Sequence, residues 1–319
     1  MKILVTGAAG FVGSALCERL TSSGFAVVPA VRGKTSLSHA VLVGNLDAST
    51  DWTTGLSECN AVVHLAARVH VMEDAASDPL AQYRQTNTDA TLNLARQAAQ
   101  AGVKRFVFIS TIKVNGEGRD APYRDTDPPA PEDAYAISKW EAEQGLQQIA
   151  RETGLEVVIL RPPLVYGPGV KANFLRLMQM VQRGWPLPLG AIHNQRSLLY
   201  LGNLVDAIRV CIEHPAAAGQ TFLLDDGQAF STPQLIRAVA DALHRPARLL
   251  PVPVALLRLA GWMTGKSTAV ARLTGSLSVE SRAIRTRLGW VPPYSMQEGL
   301  TQTVAAFVQD RCPENRGKS

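Results

Sequence analysis

The chain has 319 residues, 46% of them hydrophobic and 18% charged, with 25 Gly and 19 Pro. That length and balance support a sizeable core in one large or two smaller domains, and exclude a disordered, collagenous or coiled-coil chain. Thirty-two Lys and Arg against 27 Asp and Glu leave a net charge of +5. The basic residues are scattered, and the densest group, Arg282, Arg285 and Arg287, is interrupted by apolar residues. No nucleic-acid partner is expected, and an acidic small ligand fits better. Cys17, Cys59, Cys211 and Cys312 form no metal or redox spacing, which fits a reduced, cytoplasmic protein with no metal site.

Taken from the first residue, Lys2 and the uncharged stretch Ile3 to Cys17 have the outward look of a signal peptide. Gly7, Gly10 and Gly13, however, recur every third residue after a β-branched run, which a secretory apolar segment has no reason to hold. No uncharged run reaches the roughly 18 residues that span a bilayer, so no membrane insertion is expected. The stretch Val252 to Met263 is apolar enough to lie on a membrane or on a partner, and its residues Val254, Leu257, Trp262 and Met263 are expected to pack on their own domain.

Short apolar runs predict buried strands at Lys2–Thr6, Ala26–Val31, Ala40–Val43, Ala61–Leu65, Arg105–Ser110 and Glu156–Arg161. Helical spacing predicts helices at Phe11–Ser23, Leu80–Ala101 and Ala134–Thr153 between them. Such alternation specifies an α/β fold, a Rossmann-type doubly wound parallel sheet. From Pro162 the chain turns to Pro- and Gly-rich loops, then returns to a strand at Thr221–Leu224 and a helix capped by Thr232 with Pro233 at its first position. Further helices are expected at Asn203–Glu213, Val254–Thr264, Val279–Leu288 and Ser295–Gln309. The expected organisation is a cofactor-binding domain over 1–165 that also receives part of 198–245, a smaller α/β substrate-binding region over 166–310, and a solvated tail at 311–319.

Two motifs carry chemistry. The glycine loop Gly7-x-x-Gly10-Phe11-Val12-Gly13 follows a strand and opens a helix, so its backbone can approach a pyrophosphate and offer it free N–H groups. After the second strand, where an NAD enzyme keeps a carboxylate for the ribose, this chain has Arg32 and Lys34, which favour the 2′-phosphate of NADP. Tyr135 and Lys139 are four apart at a helix start and share a face, and an ammonium beside a phenol is expected to lower its pKa. His64, in a buried strand, reads as a packed core histidine and Cys17 as a small buried residue.

The glycine loop, Phe106-Val-Phe-Ile-Ser110-Thr111 and Tyr135-x-x-x-Lys139, in this order and spacing, resemble the extended short-chain dehydrogenases/reductases of the nucleotide-sugar epimerase and reductase branch. His64-Leu-Ala-Ala67, Asn87 and Arg161-Pro-Pro-Leu-Val-Tyr-Gly-Pro168 extend the likeness over nearly the whole chain. The resemblance implies that Thr111 hydrogen-bonds the reacting sugar oxygen, Tyr135 exchanges its proton and Lys139 holds the nicotinamide ribose. It implies a cofactor site at Gly7, Gly10, Phe11, Val12, Asn45, Leu46, Leu65, Ala66, Ala67, Asn87 and Pro162, although Asn45 replaces the usual Asp. It places a UDP-sugar at Asn173 and Arg196, with Arg272 a second phosphate candidate, and suggests a homodimer through the helices 80–101 and 134–153.

Within that branch, Asn115 stands where most 4-epimerases have tyrosine, Leu164 replaces a common polar residue, and Ile112-Lys-Val-Asn-Gly-Glu117 looks most like enzymes of O-antigen synthesis. The expectation is an NADPH-dependent C4 reductase of a UDP-4-keto-6-deoxy-N-acetylhexosamine, giving UDP-QuiNAc or UDP-FucNAc. The alternative is a UDP-hexose or UDP-N-acetylhexosamine 4-epimerase with bound NAD, and the third reading is an NADP-binding regulator without turnover.

Overall fold

The computed structural model describes residues 1–35, 37–69 and 78–310. The expected tail at 311–319, with Cys312, lies outside the described residues. The helices are α1 Phe11–Ser22, α2 Thr53–Leu56, α3 Pro79–Tyr83, α4 Ala90–Gln100, α5 Ala134–Thr153, α6 Ala172–Gln182, α7 Leu201–Glu213, α8 Thr232–Ala242, α9 Val254–Met263, α10 Ser267–Thr274, α11 Arg282–Leu288 and α12 Met296–Gln309. The strands are β1 Lys2–Thr6, β2 Ala26–Val31, β3 Val41–Leu42, β4 Ala61–His64, β5 Arg105–Ile109, β6 Tyr123–Arg124, β7 Glu156–Arg161, β8 Leu164–Tyr166, β9 Arg196–Tyr200, β10 Thr221–Leu223, β11 Ala229–Phe230 and β12 Val279–Glu280.

Seven strands form one sheet in the order β10-β7-β5-β4-β1-β2-β3, every neighbouring pair parallel. Side chains alternate across it: Ile3, Val5, Val63 and Val107 face a core closed by α1, α7 and α11, while Leu4, Val62, Phe106 and Phe108 face a second core closed by α4 and α5. This is the expected doubly wound sheet, and its order reverses at β1, which opens a crevice at the carboxyl ends of β1 and β4. A smaller sheet, β11-β9-β8, with α6, α8 and α12 encloses a third core of Tyr166, Phe174, Met178, Tyr200, Ile236 and Leu300.

Three expected elements are corrected. The single helix expected over 80–101 is α3, a π-helical stretch Arg84–Asp89, and α4. Asn87 on the π stretch is fully buried, and its amide exchanges hydrogen bonds with the Arg68 backbone, accepting from N at 2.8 Å and donating to O at 3.0 Å. Ser231, not Thr232, caps α8, in a capping box with Gln234, so Pro233 falls at the second helical position. The helix expected from Val279 begins at Arg282, because Val279–Glu280 pairs with Tyr123–Arg124 as a strand.

Candidate active site

At the end of β1 the chain turns through Gly7, whose φ is +65°, and a Cβ there would lie 3.0 Å from Ala66 N. A Cβ on Gly13 would lie 2.1 Å from Gly7 O, so that position admits glycine alone. Gly10 caps α1 with no side-chain hydrogen bond and no acidic residue follows in the first turn, which leaves the helix N-terminus to an anion. Gly7, Gly10, Arg32, Asn45, Leu46 and the segment Leu65 to Ala67 line a cavity of about 550 Å³. Glycine cradle, uncapped helix end and the cavity beside them together fit a dinucleotide.

Several expected cofactor residues also make contacts within the protein. Phe11 and Val12 pack their side chains into the core, so only their backbone can meet a phosphate. Lys34 is exposed and does not line the cavity, whose charged lining residues are Arg32, Asp47 and Arg68. Asn87 donates its amide to Arg68 O and Ser138 Oγ, and Pro162 O accepts a hydrogen bond from Ile112 N at 3.0 Å.

The loop after β4 is fixed by a buried hydroxyl and imidazole chain. Thr91 Oγ1 donates to Asn87 O at 2.7 Å and so accepts from His64 Nε2 at 2.9 Å; His64 Nδ1 then accepts from Thr6 Oγ1 at 2.7 Å, which accepts from Leu65 N and Ala66 N. Burial, followed by the Lys139 charge, pushes His64 down to about 3. His64 is therefore the neutral core histidine the sequence suggests.

Asp133 caps α5 by accepting from Ala136 N at 2.7 Å, and Lys113 Nζ holds its other oxygen at 2.6 Å. Tyr135 and Lys139 lie on the first turns of that helix, as expected. The Tyr135 ring meets Tyr83 edge-on with centroids 6.2 Å apart, and Tyr83 in turn lies under the Arg68 guanidinium at 5.7 Å. Lys139 Nζ sits 3.9 Å from the centroid of the Phe108 ring. Thr111 is buried and caps the short turn Ile112–Val114.

The expected pKa order is reversed. Burial, with Asp133 and Tyr83 adding to it, holds the Tyr135 phenol above its ordinary value. Burial also pushes Lys139 down to about 7, only partly opposed by the Glu143 charge. Desolvation is thus the largest influence on both groups, and the resting phenol keeps its proton at neutral pH.

Glu143 continues the Tyr135, Lys139 spacing by one further turn, and that spacing is the only sign of it in the sequence. It is fully buried, accepts from Arg161 Nη2 at 2.5 Å and Nε at 3.0 Å, and is hydrogen-bonded by Ser110. Arg161 Nη1 also donates to Asn115 Oδ1 at 3.0 Å. Asn115 thus completes a buried ion-pair network, and Leu164 is about half exposed at 49%. Neither residue therefore carries the argument for a reductase that the sequence drew from them.

On the substrate side, Asn173 is exposed on the first turn of α6. Arg196 Nη1 donates to Arg272 O at 2.7 Å and Gly275 O at 3.1 Å, so its guanidinium is partly spent on the end of α10. Burial lowers its pKa, with Glu117 opposing. The Arg272 side chain is exposed.

Sheet, glycine cradle and Tyr–Lys pair define a nicotinamide-dinucleotide-dependent enzyme of the extended short-chain dehydrogenase/reductase class. Residues 3–224 match the NAD dependent epimerase/dehydratase family, and the chain belongs to it. Over 314 residues it is 50% identical to a UDP-glucose 4-epimerase of Vibrio cholerae, covering 97% of this chain and 96% of that one. The Thermotoga maritima UDP-glucose 4-epimerase solved with UDP-glucose superposes with a TM-score of 0.77 at 26% identity, covering 97% and 99% of the two chains. MoeE5, solved with UDP-glucose and NAD, gives 0.78 at 25% identity over 97% and 99%. These likenesses overturn the C4-reductase expectation: the relative at half identity is an epimerase.

Proposed function

We propose that the protein is a 4-epimerase of UDP-hexoses working on a bound NAD. The carrying observation is the 50% identity, over 97% of the chain, to the V. cholerae UDP-glucose 4-epimerase. Support for NAD comes from MoeE5, solved with NAD and UDP-glucose, and from Asp47, a carboxylate that lines the groove with Arg32 and Arg68. The glycine cradle would hold the pyrophosphate, Asn45 and Leu46 the adenine end, and Lys139 the nicotinamide ribose. When bound, the oxidised nicotinamide accepts and returns a hydride and adds a positive charge that favours the phenolate.

Tyr135 takes the proton of the C4 hydroxyl and returns one to the oxygen after the sugar has presented its other face, while Thr111 hydrogen-bonds that oxygen. Lys139, whose pKa burial lowers, would stabilise the phenolate while protonated. Arg196 and Arg272, joined through the Arg196 bond to Arg272 O, would meet the diphosphate, and Asn173 the sugar nucleotide. The cofactor-binding part is 1–165 with part of 198–245, and 166–310 is mostly the substrate part. A homodimer through α4 and α5, which pack side by side, completes the reading. The test is UDP-glucose with the purified enzyme and no added dinucleotide, followed by NMR. UDP-galactose with an equilibrium mixture is expected; absence of interconversion alongside oxidation of added NADPH by a 4-keto sugar would overturn the proposal.

A further inference from the structure

The hairpin of α9 and α10 departs from the rest of the fold. Val254, Leu257 and Gly261 face inward, and a Cβ on Gly261 would lie 2.7 Å from Val270 Cγ2, so the two helices are in close contact. The other side of α9 is apolar and uncovered: Leu256 is 55%, Leu259 52%, Met263 72% and Trp262 74% exposed. The expectation that Trp262 and Met263 pack on their own domain is therefore corrected; they crown the hairpin.

Charge says what covers this face. Residues 242–279 contain five basic side chains, Arg245, Arg248, Arg258, Lys266 and Arg272, and no Asp or Glu. Arg258 and Lys266 are exposed on the hairpin itself. An exposed tryptophan beside leucines, rimmed by cations alone, is the composition of a helix lying in a bilayer interface. A second copy meeting this face by twofold symmetry would set cations against cations with no carboxylate to pair them. Anionic headgroups would pair Arg258 and Lys266, the exposed cations beside α9. Among the described residues no helix is long and apolar enough to cross a membrane, so the contact is with the surface.

We infer that the α9–α10 hairpin is a docking surface for an anionic lipid bilayer, with α9 lying in the headgroup layer. The hairpin is tied to the substrate end of the site, since Arg196 and Asn194 both donate to carbonyls at the end of α10. Docking would therefore turn that end toward the membrane. The inference stands independently of the sugar specificity.

The test is sedimentation of the purified full chain with vesicles of phosphatidylcholine alone or with phosphatidylglycerol. Binding to the anionic vesicles, weak on the neutral ones and lost by about 0.5 M salt, is expected. Leu256→Asp/Leu259→Asp should reduce binding by about tenfold or more while melting temperature and dinucleotide binding stay unchanged. Trp262→Ser, at the most exposed position, supplies a second variant should the double one fold poorly, and it should weaken binding in the same sense. No binding of the parent to anionic vesicles overturns the inference. So does equal binding by parent and Trp262→Ser. A change of oligomeric state in the double variant, without vesicle binding by the parent, would assign the face to a second copy instead.

Discussion

The carboxyl end of the parallel sheet and the α9–α10 hairpin use the same kinds of apolar residue to opposite ends. β4 and β5 bury nearly every side chain between two helical layers, whereas α9 buries Gly261 alone. In the sheet, apolarity is satisfied by the chain itself and so fixes geometry. In the hairpin it exceeds what the chain can cover, and so points outward. Burial and apolarity thus separate, and the contrast marks which half does chemistry and which meets surroundings.

The first way to sharpen that contrast is to remove the proton carrier. Tyr135→Phe keeps the ring against Tyr83 and loses only the hydroxyl, so turnover should fall by roughly two to four orders of magnitude with dinucleotide binding retained. Steady-state kinetics beside calorimetric titration of NAD check it, and a rate within a factor of ten of the parent would take Tyr135 out of the mechanism.

Next comes the buried pair behind it. Glu143→Ala strands the Arg161 guanidinium in the core, where breaking a buried ion pair costs about 3–5 kcal/mol. Denaturant unfolding should show the loss, and the equivalent change at the exposed pair Lys2–Glu58 should cost under about 1 kcal/mol. Similar costs at both places would remove the distinction between a locked interior and a solvated surface.

These two residues also show what the sequence could and could not display. The glycine loop, Tyr135 and Lys139 were legible because each requirement is local: a turn, a close approach, a spacing of four on one helix. The strand alternation was legible because a sheet covered on both faces needs uninterrupted apolar runs. The sugar specificity was not legible. Asn115 reads from its position as a pocket residue, but its partner Arg161 is 46 positions away, and only the folded chain brings the two together. The direction of the Tyr135 shift was missed for a related reason, since desolvation is a property of the assembled core and four-residue spacing is silent about it. The π-helical turn that sends Asn87 inward likewise depends on the loop it grips.

A smaller effect follows from Lys139. Its folded pKa of about 7 lies below its ordinary value of 10.5, so above pH 7 the unfolded chain binds more protons than the folded one. Stability of the dinucleotide-free enzyme should therefore rise from pH 7 toward 9, by less than about 1.4 kcal/mol per pH unit. Above 9 the buried thiols of Cys17 and Cys211, whose pKa values burial raises, act in the opposite sense. Lys139→Met should flatten the rise between 7 and 9; an identical slope in parent and variant would mean that another group titrates there.

The smallest effect is expected on the hairpin, and it is the most direct comparison of the two regions. Leu160, fully buried in β7, and Leu259, 52% exposed on α9, are the same residue in elements of regular structure. Leu160→Ala removes methyl groups from a packed layer and leaves a cavity, at a cost of about 2–5 kcal/mol. Leu259→Ser removes a side chain that is already about half in water, and a serine in that position adds no unpaired group because solvent satisfies its hydroxyl. The residual cost is the helix propensity of serine below leucine, a few tenths of a kcal/mol, so the change should stay within about 0.5 kcal/mol. Parallel denaturant titrations of the two variants give both numbers. A cost at Leu259 approaching that at Leu160 would mean that the outer face of α9 is covered in solution, and the separation of apolarity from burial on which the comparison rests would fail.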